Sequence, residues 1–289
     1  MTIQPNDLAQ PDPFMLDQWY PVAAVQDIPP GLPKVTKLFG RSVTYSADGQ
    51  GAFSASSEGR ALPVLAEYGC LWTSLGTPAP LFSIPQWTEP DRRNVAAGTI
   101  GVHVSAQRGI ENFLDMGHFP YVHTGILGVL PHTEVKEYKV EEVRDGLEIM
   151  ATECLFYQPM ASTVSTSGAD VEYVYRVPHP TCSVLYKSSP MDEKRLDVIA
   201  LFGQPTGQET FRGHMVLSIL DDVNTDDFIG YFQLHIFGQD KPILENQMPK
   251  RLPLDPRAET PIRADKTSIM YRRWLARHGV SYGTLPVQA

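Results

Sequence analysis

Residues 111–125 read Glu-Asn-Phe-Leu-Asp-Met-Gly-His-Phe-Pro-Tyr-Val-His-Thr-Gly, a run dense in groups that can bind a metal. His118 and His123 are the candidate ligands. Asp115 stands three residues before His118, and Asn112 three before Asp115. A helix turning about 100° per residue puts such neighbours on one face. His118 and His123 are five apart, and an unbroken helix would splay them by about 140°. Pro120 lies between them. Its ring clashes with the preceding turn and must kink or end the helix, which lets both imidazoles turn toward one point.

Two neutral imidazoles need a carboxylate to complete the facial triad that holds non-haem Fe(II) with positions open for oxygen. Asp240 is the candidate, in Ile-Phe-Gly-Gln-Asp-Lys-Pro-Ile-Leu-Glu-Asn-Gln (residues 236–247). Phe232, Ile236 and Asp240 recur every four residues and would share a helix face, with Phe228 one turn earlier. That stripe reads as core, as a substrate wall, or as both. Asp221, Asp222, Asp226 and Asp227 lie nearby as competing carboxylates.

These residues need elements to position them. The first histidine belongs to a helix over about 107–119. A long helix is expected over 225–238, with capping chemistry in Asp221 to Thr225. A last helix is expected over 265–278, with Asp265 at its start and Gly279 just past its end. Between the first two, the pattern changes to the period of strands: Val135 to Val140, Leu147 to Leu155, Val171 to Val177, Cys182 to Tyr186, Leu196 to Phe202, and His214 to Leu220. Residues 17–88 read as short strands divided by turns. Residues 89–106 lead into the first helix, and residues 1–16 read as a loose arm. Periodicity alone gives an α+β fold, an antiparallel sheet with flanking helices.

The stretch from Glu111 to Gly125 resembles the iron motif of Rieske-type aromatic-ring and demethylating oxygenases. Gln239-Asp240 through Glu245 and Gln247 resembles their third-ligand segment, and Asp265 to Leu275 their last helix. Trp19-Tyr20-Pro21-Val22 and Tyr68-Gly69-Cys70-Leu71-Trp72 through Gly76 resemble their N-terminal strands. The resemblance covers most of the chain, with its motifs in the family's order. It implies a helix-grip sheet curved around a long helix over residues 89–289, preceded by a β remnant of a Rieske domain over residues 1–88. It also gives Asp115 a role, a hydrogen bond to a metal-binding histidine on the path of incoming electrons, with Asn112 in support.

The departure from the family is as informative. The family holds a two-iron, two-sulfur cluster with Cys-x-His and Cys-x-x-His pairs. The cysteines here are Cys70, Cys154 and Cys182, none in such a pair. Where the family places its cluster loops, between Gly49 and Leu62, stands only Gln-Gly-Ala-Phe-Ser-Ala-Ser-Ser-Glu-Gly-Arg. A mononuclear Fe(II) without an iron–sulfur cluster must take its electrons from another protein. Within the family the motifs look closest to the demethylating branch, which acts on vanillate or methylxanthines. The deletion implies a member that demethylates 7-methylxanthine. Its implied partners are a reductase with an additional Rieske cluster and a glutathione-S-transferase-like companion, in a trimer-based hetero-oligomer. A methoxylated aromatic is the alternative substrate. A non-catalytic subunit kept for assembly is a second reading, and a cofactor-independent helix-grip binding protein a third.

The bulk numbers bound the rest. A chain of 289 residues with 42% hydrophobic and 20% charged content can bury a large core. The net charge of −9, with no basic run, argues against nucleic acid. No apolar run approaches membrane-span length, and the N-terminus lacks a signal-peptide pattern. Three scattered cysteines make no disulfide framework, so a cytoplasmic setting is expected.

Overall fold

The computed structural model describes residues 10–160 and 162–287; the first nine residues of the expected arm lie outside these. The rest of that arm is ordered. A one-turn helix, α1 (Pro13–Leu16), is capped by Asp12, whose carboxylate accepts from the Met15 amide at 2.9 Å. Strands β1 (Tyr20–Ala24), β2 (Lys34–Leu38), β3 (Arg41–Ala47), β4 (Phe53–Ser57), β5 (Arg60–Leu62), β6 (Val64–Glu67) and β7 (Cys70–Thr73) follow. They form two small antiparallel sheets, β2–β3–β4–β5 and β1–β7–β6.

The remaining chain builds one large sheet and its helices. Strand β8 (Arg93–Val102) leads to α2 (Ala106–Leu114) and α3 (Phe119–Val122). Then come β9 (Lys139–Val143), β10 (Glu148–Gln158), β11 (Ala169–His179), β12 (Cys182–Ser188), β13 (Leu196–Gly207) and β14 (Thr210–Ile219). Helix α4 (Asp226–Asn246) and helix α5 (Lys266–Arg277) close the fold, with β15 (Leu252–Pro253) and β16 (Thr284–Leu285) as a short parallel pair. The large sheet runs β8–β14–β13–β12–β11–β10–β9, antiparallel throughout. It is a meander whose last strand pairs with the first. The fold is the expected α+β helix-grip. Among the described residues no helix is long and apolar enough to cross a membrane.

Both faces of the sheet are covered. On the outer face Val184, Tyr186, Val198, Ala200 and Phe202 pack with Trp72 and Cys70 of β7. On the inner face α4 crosses β8 and β14. The crossing is close because two strand residues lack side chains. A Cβ on Gly98 would stand 2.9 Å from the Leu234 side chain, and one on Gly213 would stand 2.9 Å from the Phe237 ring. Cover on both faces explains why β12 is buried along nearly its whole length instead of alternating between buried and exposed.

Four boundaries differ from the sequence reading. β8, expected only as a lead-in, is an edge strand of the main sheet. The strand expected at 135–140 starts at Lys139. Helix α4 runs eight residues past its expected end, through both Gly238 and Pro242. Glycine and proline are local stop signals, but the buried face of Phe237, Asp240 and Leu244 holds the helix on the sheet. The fourth difference reshapes the candidate site. α2 ends at Leu114, and the Asp115 carboxylate accepts from the Gly117 amide at 2.7 Å. That local bond replaces the next helical turn. Pro120 therefore does not kink a continuing helix. It stands in the first turn of α3, where proline is tolerated.

Candidate metal centre and substrate cavity

Three segments converge on the inner side of the sheet. The turn after α2 presents Asp115 and His118, the C-terminal end of α3 presents His123, and α4 brings Asp240 from the opposite side. His118 Nε2 lies 3.1 Å from His123 Nε2 and 3.3 Å from Asp240 Oδ1, and His123 Nε2 lies 3.1 Å from that same oxygen. His123 is 1% exposed and Asp240 7%.

Each imidazole is held at its other nitrogen. Asp115 Oδ2 is 3.0 Å from His118 Nδ1, and Gln239 Oε1 is 2.8 Å from His123 Nδ1. An acceptor there keeps the proton on Nδ1 and leaves the Nε2 lone pair facing the centre. Asn112 Nδ2 donates to Asp240 Oδ1 at 3.4 Å. Burial alone would depress the His118 pKa, but the carboxylates of Asp115 and Asp240 outweigh it and raise it to about 9. Burial would likewise raise Asp115 and Asp240, but hydrogen bonds and charge, chiefly from the histidines, keep both below the usual carboxylate range. Two imidazole nitrogens and a carboxylate oxygen within 4.8 Å of one another fit one cation, and the donor set suits non-haem iron.

A pocket with about 840 Å³ of empty space, open solvent at its mouth included, lies beside these atoms, between α4 and the inner face of the sheet. Its walls are mostly aromatic and aliphatic, including Phe113, Phe119, Tyr173, Tyr175, Met215 and Phe237. Phe232 and Ile236 line it, as the four-residue stripe on α4 suggests. Phe228 does not. It is 48% exposed, because the stripe drifts off the sheet at the start of the helix. The polar lining groups are few and include Asn112, Gln233, Lys187 and Asp197. A second cleft, lined by Asp115, Gln247, Glu259, Asp265 and Arg272, lies on the far side of His118. His118 and Asn112 line both spaces, so they form the partition between them. The four competing carboxylates lie elsewhere. Asp221 caps its own loop, accepting from the Val223 and Asn224 amides, and Asp226 pairs with Arg93. Asp222 and Asp227 line neither space.

Sequence reasoning missed two residues that shape the centre. Gln239 was legible only as the neighbour of Asp240; the demand of a buried histidine for an Nδ1 acceptor is the signal that could have found it. Gln239→Leu is expected to lower metal affinity roughly 10- to 100-fold while the chain stays folded, measured by competition with a calibrated chelator. Gly128 lies against the backbone between the two histidines. A Cβ there would stand 2.6 Å from the Pro120 nitrogen and 2.7 Å from the Phe119 carbonyl carbon. Gly128→Ala must push that backbone aside. It is expected to cost about 1–3 kcal/mol of stability and to weaken metal retention, read by thermal melting and metal analysis.

The family model for the vanillate O-demethylase oxygenase C-terminal domain matches residues 102–279. A Pseudomonas sp. (strain TJI-51) protein described as "Probable methylxanthine N7-demethylase" is 46% identical over 273 residues, 94% of this chain and 97% of that one. The methylxanthine N1-demethylase of Pseudomonas putida is 25% identical over 72% of this chain and 58% of its own length. Among solved structures, Pseudomonas putida CBB5 NdmA with caffeine superposes with a TM-score of 0.75 at 19% identity, covering 93% of this chain and 94% of that one. Dicamba monooxygenase with non-haem iron and dicamba gives 0.67 at 14% identity, covering 92% and 97%.

Proposed function

The chain belongs to the Rieske-type non-haem iron oxygenases that carry the vanillate O-demethylase oxygenase C-terminal domain, and we propose that it is the oxygenase component that removes the N7-methyl group of 7-methylxanthine. The observation that carries this is 46% identity over nearly the full length of both chains to a probable methylxanthine N7-demethylase. The cavity agrees with it. A largely apolar slot with a few polar groups suits a flat purine, and it ends at His118, His123 and Asp240.

We assign those three residues to a mononuclear Fe(II), which supplies the activation of dioxygen. One O2, two electrons and two protons convert N–CH3 into N–CH2OH and water. The C–N bond of the hemiaminal then breaks with its electron pair on nitrogen, the hydroxyl oxygen loses its proton and the nitrogen gains one, and xanthine and formaldehyde result. The chain's own residues set the conditions. Asp115 and Gln239 keep both Nδ1 protons in place, Asn112 orients Asp240, and the aromatic walls keep water from the reacting carbon.

The electrons need a separate source. No cysteine of this chain stands in a Cys-x-His or Cys-x-x-His pair, so we assign it no iron–sulfur cluster. The proposed donor is a Rieske cluster on a partner reductase, docked at the cleft beside Asp115. A glutathione-S-transferase-like companion would complete a trimer-based hetero-oligomer in the cytoplasm. In this reading residues 1–88 are the reduced remnant of a Rieske domain, and residues 89–289 form the catalytic part.

The test is turnover of 7-methylxanthine by the iron-loaded chain with oxygen and a Rieske-bearing reductase. Formaldehyde and xanthine in equal amounts support the reading. Formaldehyde from vanillate but not from 7-methylxanthine would replace it with O-demethylation of an aromatic ether. Stoichiometric iron with no turnover of either would favour a non-catalytic subunit.

A further inference from the structure

Lys187 is an odd residue for its place. It lies mid-sheet on β12, is 3% exposed, and lines the cavity. Its cross-strand partner on β13 is Asp197, 4% exposed and lining the same cavity. Burial holds the lysine pKa down at about 8, against the opposing charge of Asp197. A charged pair on an otherwise apolar inner face costs desolvation energy that a leucine would avoid.

The pair stands at the end of the cavity away from the metal ligands. The β12–β13 row of Lys187 and Asp197 leads across the sheet to the start of β8, where Arg93 reaches Asp226 at the start of α4. Asp240 lies far along the same helix. Ile229, the lining residue nearest the start of α4, is eleven positions before it, roughly 16 Å at the helical rise. A chain of rings joins the two ends. The Phe119 centroid is 5.0 Å from that of His118, the Tyr173 centroid 6.0 Å from that of Phe119, and Lys187 Nζ 5.8 Å from that of Tyr173.

We propose that Lys187 is a specificity-determining residue that donates a hydrogen bond to the substrate carbonyl opposite the reacting methyl group. On the demethylation reading above, with the N7-methyl group at the metal, that acceptor is the C2 carbonyl of the xanthine. An ammonium has three donors, so it can serve an acceptor in the cavity besides its protein neighbours. Asp197 positions it and balances its charge. Aromatic walls accept many flat rings, whereas a buried ammonium selects one with an acceptor at that edge.

The test compares 7-methylxanthine with 7-methylhypoxanthine, which carries hydrogen in place of the C2 oxygen and lacks the N3 proton. Binding of each to the iron-loaded chain is measured by calorimetry. The wild type should prefer 7-methylxanthine by roughly 10- to 100-fold. In Lys187→Met the preference should collapse to within about twofold, mainly through weaker binding of 7-methylxanthine. Lys187→Met combined with Asp197→Asn removes both charges and guards against a fold lost to an unpaired carboxylate; the same collapse is expected. A structural role for Lys187 would weaken both purines equally and keep the ratio, and that result overturns the inference. A wild type that binds 7-methylxanthine without preferring it also overturns the inference while leaving the demethylation reading intact. A wild type that binds neither purine removes that reading, and this inference with it.

Discussion

His123→Ala and Asp240→Ala are each expected to give a folded chain with almost no iron. The wild type should carry close to one iron per chain and no acid-labile sulfide. The expectation follows from the geometry. His123 Nε2 and Asp240 Oδ1 are 3.1 Å apart and nearly enclosed, so no surface group or bulk ligand can replace either one cheaply. Two remaining donors do not make the three-donor set that such a site needs. Asp222→Ala and Asp227→Ala serve as controls and should keep full iron and full turnover. Circular dichroism establishes folding, metal analysis reads the stoichiometry, and formaldehyde release reads activity. Stoichiometric iron in Asp240→Ala would move the third ligand elsewhere. Treatment of the wild type with a chelator should abolish turnover, and Fe(II) should restore it.

The second large effect concerns Asp115. Asp115→Asn should keep iron and substrate binding yet lose most of its turnover with the native reductase. Asparagine preserves the size of the side chain and an oxygen for the Gly117 amide, so the turn after α2 survives. It removes the full carboxylate charge now 3.0 Å from His118 Nδ1. The residue also lines the cleft on the far side of His118, where an external donor could approach. A purely structural Asp115 predicts the opposite pattern, with iron lost and melting temperature lowered. Single-turnover experiments separate the cases. With electrons supplied by a small chemical reductant, the variant should approach wild-type product formation. A variant that turns over like the wild type with the native reductase would remove Asp115 from the electron path.

Much of this molecule was legible without coordinates. Asn112, Asp115, His118 and His123 were singled out by their types and closeness in the chain, although a turn after Leu114 and not one helix face presents Asp115 and His118, and the period-two runs from 147 to 220 marked the meander. From β9 to β14 each strand pairs with its sequence neighbour, so local pattern carries most of the topology; the pairing of β8 with β14 is the exception. Where the reading failed, it failed at local signals that packing overrode. Gly238 and Pro242 argued for a helix end, yet α4 continues because its buried face is anchored on the sheet. Phe228 obeyed the four-residue spacing but is exposed, because each four-residue step drifts about 40° around the helix and Ile229 takes the buried place at its start.

Sequence by itself determined the types of the candidate metal-binding groups, their order along the chain and the absence of Cys-x-His and Cys-x-x-His pairs, because these are matters of residue identity. Only the tertiary structure decided which atoms face one another. Asp240 meets the two histidines because α4 lies across β8 and β14 over glycines that let it approach. Gln239 finds His123, more than a hundred residues away in sequence, for the same reason. Lys187 and Asp197 become one end of the cavity only when β12 pairs with β13 and turns that face toward α4. Such contacts join distant segments. They depend on register and crossing angle, which are set by the packing of whole faces and are not encoded in any short run of residues.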